Sequence, residues 1–132
     1  MAHIRLEGGD LILTLDGLMR LAAVRRELRV PLTHVTAAYP APEQPRGLLD
    51  ELRQMHNAGT HIPGVMKVGA FAGPSGPVFY ALHDPLRAVA VDLVDEPFCR
   101  LMIEPPAGET PAACAERIRQ DAAQARGAPG TV

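Results

Sequence analysis

The 132-residue chain holds a single lysine (Lys67), a single serine (Ser75), no tryptophan and only two cysteines, Cys99 and Cys114. Each scarcity excludes something. With one lysine and a formal net charge of −2, no polybasic stripe can neutralise a run of phosphates, which argues against a nucleic-acid partner. The densest basic patch, Arg25, Arg26 and Arg29, is interrupted by Glu27, so membrane contact is expected to be peripheral at most. No apolar run approaches the 18 residues of a membrane-spanning helix. The opening Met-Ala-His-Ile-Arg-Leu-Glu carries no apolar leader, and two distant cysteines make no disulfide framework; the expected address is the cytoplasm.

What the chain has in quantity is punctuation. Glycine (12) and proline (13) make up nearly a fifth of it, and 47% of residues are hydrophobic. This combination suits one globular domain of many short elements joined by turns, mostly β rather than a helical bundle. The expected domain is 1–126, with 127–132 a flexible tail.

Periodicity places the elements. Ile4 and Leu6 alternate with polar neighbours, Gly8-Gly9-Asp10 supplies a tight turn, and Leu11, Leu13 and Leu15 return on one face, predicting a hairpin. Asp16 and the spacing of Leu18, Leu21 and Val24 predict a short helix over 17–25. Leu28 to Leu32 resumes alternation as an edge strand because Pro31 removes a donor, and Val35 to Tyr39 reads as another strand. Residues 40–64 are read as one long irregular connection with two helical turns near Leu48 to Met55. From Val65 to Glu104, four runs separated by turns at 72–76, 84–85 and 95–97 predict an antiparallel meander. Thr110 and Pro111 then open a helix over 111–125, with Ala115, Ile118, Ala122 and Ala125 as its apolar stripe.

Three short motifs stand out: Val30-Pro31-Leu32-Thr33-His34-Val35; Gly59-Thr60-His61-Ile62-Pro63-Gly64-Val65, followed by Val68-Gly69; and Pro97-Phe98-Cys99-Arg100-Leu101. They are similar to the VPL-x-x-V strand, the G-T-x-I-P-G loop and strand, and the late P-x-x-R-L strand of the small bacterial pleckstrin-homology (PH)-like proteins of unknown function, which the chain resembles. The resemblance spans residues 3 to about 120 and implies a mostly β fold: a seven-stranded antiparallel barrel or sandwich capped by one C-terminal helix. The short helix after the second strand and the long proline-rich connection depart from that frame. So does the first hairpin, which has Arg5 but no lysine–arginine pair, so phosphoinositide binding is not implied.

Candidate chemistry is sparse. His3, His34, His56, His61 and His83 show no metal-ligand spacing, and no cofactor fingerprint occurs. Cys114, in the first turn of the last helix, would have a lowered pKa there, yet it and Cys99 also suit small buried positions. Gly73-Pro74-Ser75-Gly76-Pro77 lies between strands, whereas a nucleophile elbow needs a strand-to-helix turn. Asp92 with Asp95, and Asp50 with Glu51, read as solvated carboxylates. The candidate binding surface is the stretch Gly59 to Gly64, with Thr60 and His61 as polar groups, Ile62 as apolar anchor and Gly64 for close backbone approach.

Two functions follow as expectations. The leading one is a non-enzymatic binding or scaffold module that recognises a protein segment or forms a homodimer. The rival is a small-molecule or lipid pocket, or a weak hydrolase, built from His61, His34 or Asp84 around the barrel mouth.

Overall fold

The computed structural model describes residues 2–15, 27–41, 56–62, 66–73 and 76–127. The expected helix over 17–25, the turns near 48–55, Asp50, Glu51, Gly64, Ser75 and most of the tail lie outside them.

The described residues form nine strands and one long helix. A three-stranded antiparallel sheet joins β1 (Ala2–Glu7), β2 (Asp10–Leu15) and β3 (Glu27–Pro31) in the order β1-β2-β3. Its first turn is the predicted one. Glu7 faces Asp10, and Gly8 and Gly9 take φ of 60° and 83°, the two left-handed positions of a type I′ hairpin. A 3-10 turn, Leu32–His34, then carries the chain to the second sheet. That sheet has six strands: β4 (Val35–Pro40), β5 (His56–Ile62), β6 (Met66–Gly73), β7 (Gly76–Leu82), β8 (Val89–Leu93) and β9 (Arg100–Ile103). Their order is β4-β8-β9-β7-β6-β5. Helix α1 (Pro111–Gly127) follows.

The mostly β composition and the C-terminal helix agree with the sequence reading, but the seven-stranded barrel does not. Neither sheet closes on itself or curls strongly. A barrel needs the last strand to pair with the first, whereas here the chain leaves the small sheet at Pro31 and begins a separate one at Val35, so both sheets keep two edges. The uninterrupted meander fails as well. β6–β7 and β8–β9 are antiparallel pairs, but β7 pairs with β9 in parallel, and β8 lies on the far side of β9. The loop after β7 therefore passes over a strand position instead of turning back into it.

Alternation divides the six-stranded sheet into two apolar faces. Val89, Val91, Leu101, Ile103, Phe79 and Ala81 join Leu11, Leu13, Leu15 and Val30 of the small sheet and Cys114, Ala115, Ile118 and Ala122 of α1 in the main core. The intervening residues, Ala88, Ala90, Met102, Tyr80, Val78 and Phe71, form a second buried cluster. Within it the Phe71 and Tyr80 rings meet edge to face with centroids 5.3 Å apart. In β4 the register shifts between Val35 and Ala37. That bulge is what lets Val35 and Ala38, three residues apart, both enter the main core.

Candidate functional site

The expected binding stretch is a strand where it is described. Thr60, His61 and Ile62 belong to β5 and pair in register with Val68, Lys67 and Met66. The irregular loop read over Gly59 to Ile62 is thereby corrected. Asn57 and Gly59 are poor strand formers, but pairing with β6 over seven residues overrides local preference. These residues sit at one edge of the six-stranded sheet.

The remaining candidates are scattered. His34 Nδ1 lies 2.5 Å from Glu96 Oε2, joining the 3-10 turn before β4 to the loop after β8. Asp84 lies before β8, where the Glu104 carboxylate accepts the backbone N–H groups of His83 and Asp84, and Asp84 Oδ1 accepts the Leu86 N–H at 3.0 Å. His34 and Asp84 thus stand at opposite ends of β8, a five-residue strand spanning roughly 17 Å, and do not converge on one reacting centre. The expected barrel mouth that would have gathered them does not exist. His3 is exposed on β1, and His56 belongs to β5. Among the described residues no three His, Cys, Asp or Glu side chains are placed to hold a metal ion.

Asp92 is not a merely solvated carboxylate. Arg100 Nε donates to its Oδ1 at 2.7 Å, and the Tyr39 hydroxyl donates to it at 3.1 to 3.2 Å, closing a polar network across β4, β8 and β9. Asp95, its proposed companion, is exposed in a turn with φ of 59°. The thiol of Cys114 also departs from expectation. Burial against the core, reinforced by the negative charge of Glu109, pushes it up to about 11. Desolvation of a thiolate outweighs the helix N-terminus, so this thiol stays protonated at neutral pH. Glu109 itself is held below the ordinary carboxylate value by Arg117, which donates to both of its oxygens at 2.9 and 3.1 Å.

The arrangement that sequence reasoning missed lies between β4 and α1. Arg119 Nη1 donates to the Ala38 carbonyl and Arg126 Nη1 to the Val35 carbonyl, both at 2.6 Å. The only signal for it was spacing. Seven residues are close to two helical turns, so the two arginines share a face with Ala122 between them, a pattern that also describes any solvated helix face. Concavities lined by described residues flank α1. One, of about 270 Å³, is lined by Leu6, Gly8, Gly9, Leu32, Asp121 and Ala125. Another, of about 220 Å³, lies between β4 and the arginine pair. Both fall short of the roughly 300 Å³ at which drug-sized ligand pockets begin. Neither a protein-family model, nor a curated protein, nor a solved structure matches the chain.

Proposed function

We propose that this chain is a non-catalytic binding module that recognises a second copy of itself through β1, the free edge of the three-stranded sheet. The observation that carries the proposal is the contrast among edges. At β4, two arginine side chains occupy backbone carbonyls, and β3 ends on a proline that cannot donate. β1 contains no proline, pairs without a bulge along its whole length, and has a single strand neighbour among the described residues. β5 shares these three features, but His56–Ile62 carries no acidic residue, whereas β1 carries the opposite charges of Arg5 and Glu7. Its hairpin turn makes Glu7 and Asp10 exchange hydrogen bonds, so Glu7, Arg5 and His3 direct their backbone groups to β2, while Leu6, Ile4 and Ala2 direct theirs outward.

An antiparallel β1–β1 pairing with its two-fold axis at Leu6 aligns residues 5–7 of the two copies and sets Arg5 of each opposite Glu7 of the other. Within one chain these two side chains already lie 3.2 Å apart, on one side of the strand. Opposite charges facing across strands contribute about 0.2 to 1 kcal/mol per pair, and like charges oppose pairing by a similar amount. The polar side chains would therefore select this register and this partner.

Light scattering coupled to size exclusion over a range of concentrations tests the reading. The wild type should form a dimer, Arg5→Glu and Glu7→Arg should each shift it toward monomer, and the combined charge exchange should restore it. A wild type that stays monomeric at about millimolar concentration, or an association indifferent to both charges, would falsify the proposal.

A further inference from the structure

The cavity between β4 and α1 is a second site, independent of the β1 edge, and the geometry points to a monocarboxylate carried on a short apolar stem as its ligand. Its walls are Val35, Thr36, Ala38 and Ala122, and its two charged members are Arg119 and Arg126. Ala122 leaves the helix face bare between the arginines, which is why a space of about 220 Å³ exists there.

Charge decides the class of ligand. Arg119 donates through Nη2 to Glu116 at 3.0 Å as well as to Ala38, so its charge is largely offset. Arg126 spends one donor on the Val35 carbonyl and has no carboxylate partner among the described residues. Two guanidinium groups and one carboxylate leave the site at a net charge of +1, which matches a carboxylate rather than a phosphate carrying close to two negative charges. The backbone supplies a further donor. Ala41 N–H donates to Ala88 of β8, so alternation sends the groups of Ala41 and Tyr39 toward β8 and those of Ala38 outward, on the side of the cavity. Pro40, the next outward residue, has no N–H, so of these two outward residues only Ala38 has an amide to offer an anion. The valine and alanine walls suit a short hydrocarbon stem, and Thr36 is the one uncharged polar side chain among them.

A free short-chain acid and the C-terminal residue of a peptide share this chemistry. Both can be tested on the full chain by nitrogen-15 NMR at constant ionic strength, with sodium butyrate, neutral butyramide, and acetyl-dialanine bearing either a free or an amidated C-terminus. Butyrate should give saturable shifts at the Ala37, Ala38 and Ala122 amides, and butyramide should give none. Arg126→Gln keeps a donor for the Val35 carbonyl while removing the charge, and should weaken butyrate binding about tenfold. Glu116→Gln touches neither β4 carbonyl and should strengthen it, which keeps the test open if the arginine variant does not fold. Tighter binding of the free-carboxylate peptide than of butyrate would identify a peptide terminus as the source, and weaker binding a free acid. Absence of saturable shifts at these amides, equal shifts with butyramide, or an affinity unchanged by both substitutions would overturn the assignment.

Discussion

Cys114 illustrates how a single position is decided by what surrounds it. Its backbone N–H donates to the Thr110 carbonyl in the first turn of α1, a setting that would favour a thiolate, yet its side chain lies wholly within the core. The resulting rise from the ordinary value of 9.0 to about 11 has a thermodynamic consequence. Below pH 9 the thiol is protonated in both folded and unfolded chains and contributes no pH dependence. As pH rises from 9 toward 11 the unfolded chain releases the proton and the folded chain retains it, so stability falls across that window. Urea midpoints measured at pH 8, 9 and 10 should decline more steeply for the wild type than for Cys114→Ala, because tyrosine and lysine titrate alike in both. Parallel slopes would show that the thiol is not desolvated. Glu109 acts in the opposite direction: with its pKa lowered by Arg117, its contribution is present above the ordinary carboxylate value and disappears as pH falls through the depressed one.

At the scale of elements, α1 owes its start to a local rule and its position to a non-local one. Thr110 Oγ1 accepts the Ala113 N–H at 3.1 Å, satisfying one of the free amides of the first turn, and Pro111 occupies the first helical position, where no donor is needed. Thr110→Ala should destabilise the protein by about 1 kcal/mol, and Thr110→Ser by much less, as read from chemical denaturation. A cost equal for both would mean that the methyl group, not the hydroxyl, matters there. The strands divide in the same way. Gly8-Gly9, the alternation of β2 and the helix cap were legible because each depends on neighbours within a few residues. β5 was not, since His56 to Ile62 has weak strand propensity and is held by pairing with β6. The β4 bulge, which brings Val35 and Ala38 to one face, was equally hidden, since a one-residue shift in pairing leaves no mark on composition.

Over the whole molecule, the main core draws on both sheets and on α1 at once. Leu101 sits in its middle with no exposed surface, flanked in register by Phe79 and Val91. Leu101→Ala should therefore cost about 2 to 5 kcal/mol. Native-state hydrogen exchange should show protection falling by the same amount in β2 of the small sheet as in β8 of the large one. If only the large sheet loses protection, the two sheets open separately and the shared core does not couple them. The same interlocking bears on the candidate sites. His34 and Asp84 were singled out as chemical groups and Asp92 was read as a solvated carboxylate, but the fold assigns all three to separate structural pairings. The arginines that do frame a cavity are spread across α1, whose neighbour β4 lies some eighty residues earlier in the chain.

Local features of the chain were enough to set its class: short strands from alternation, turns from glycine and proline, and one capped helix with an apolar stripe. Tertiary structure alone decided how the strands are shared between two open sheets, which edges are covered, and where charge and cavity coincide. The physical reason is range. Propensity, capping and turn geometry act over a few covalent neighbours and are written locally, whereas strand order and edge protection depend on which distant segments compete for the same backbone hydrogen bonds.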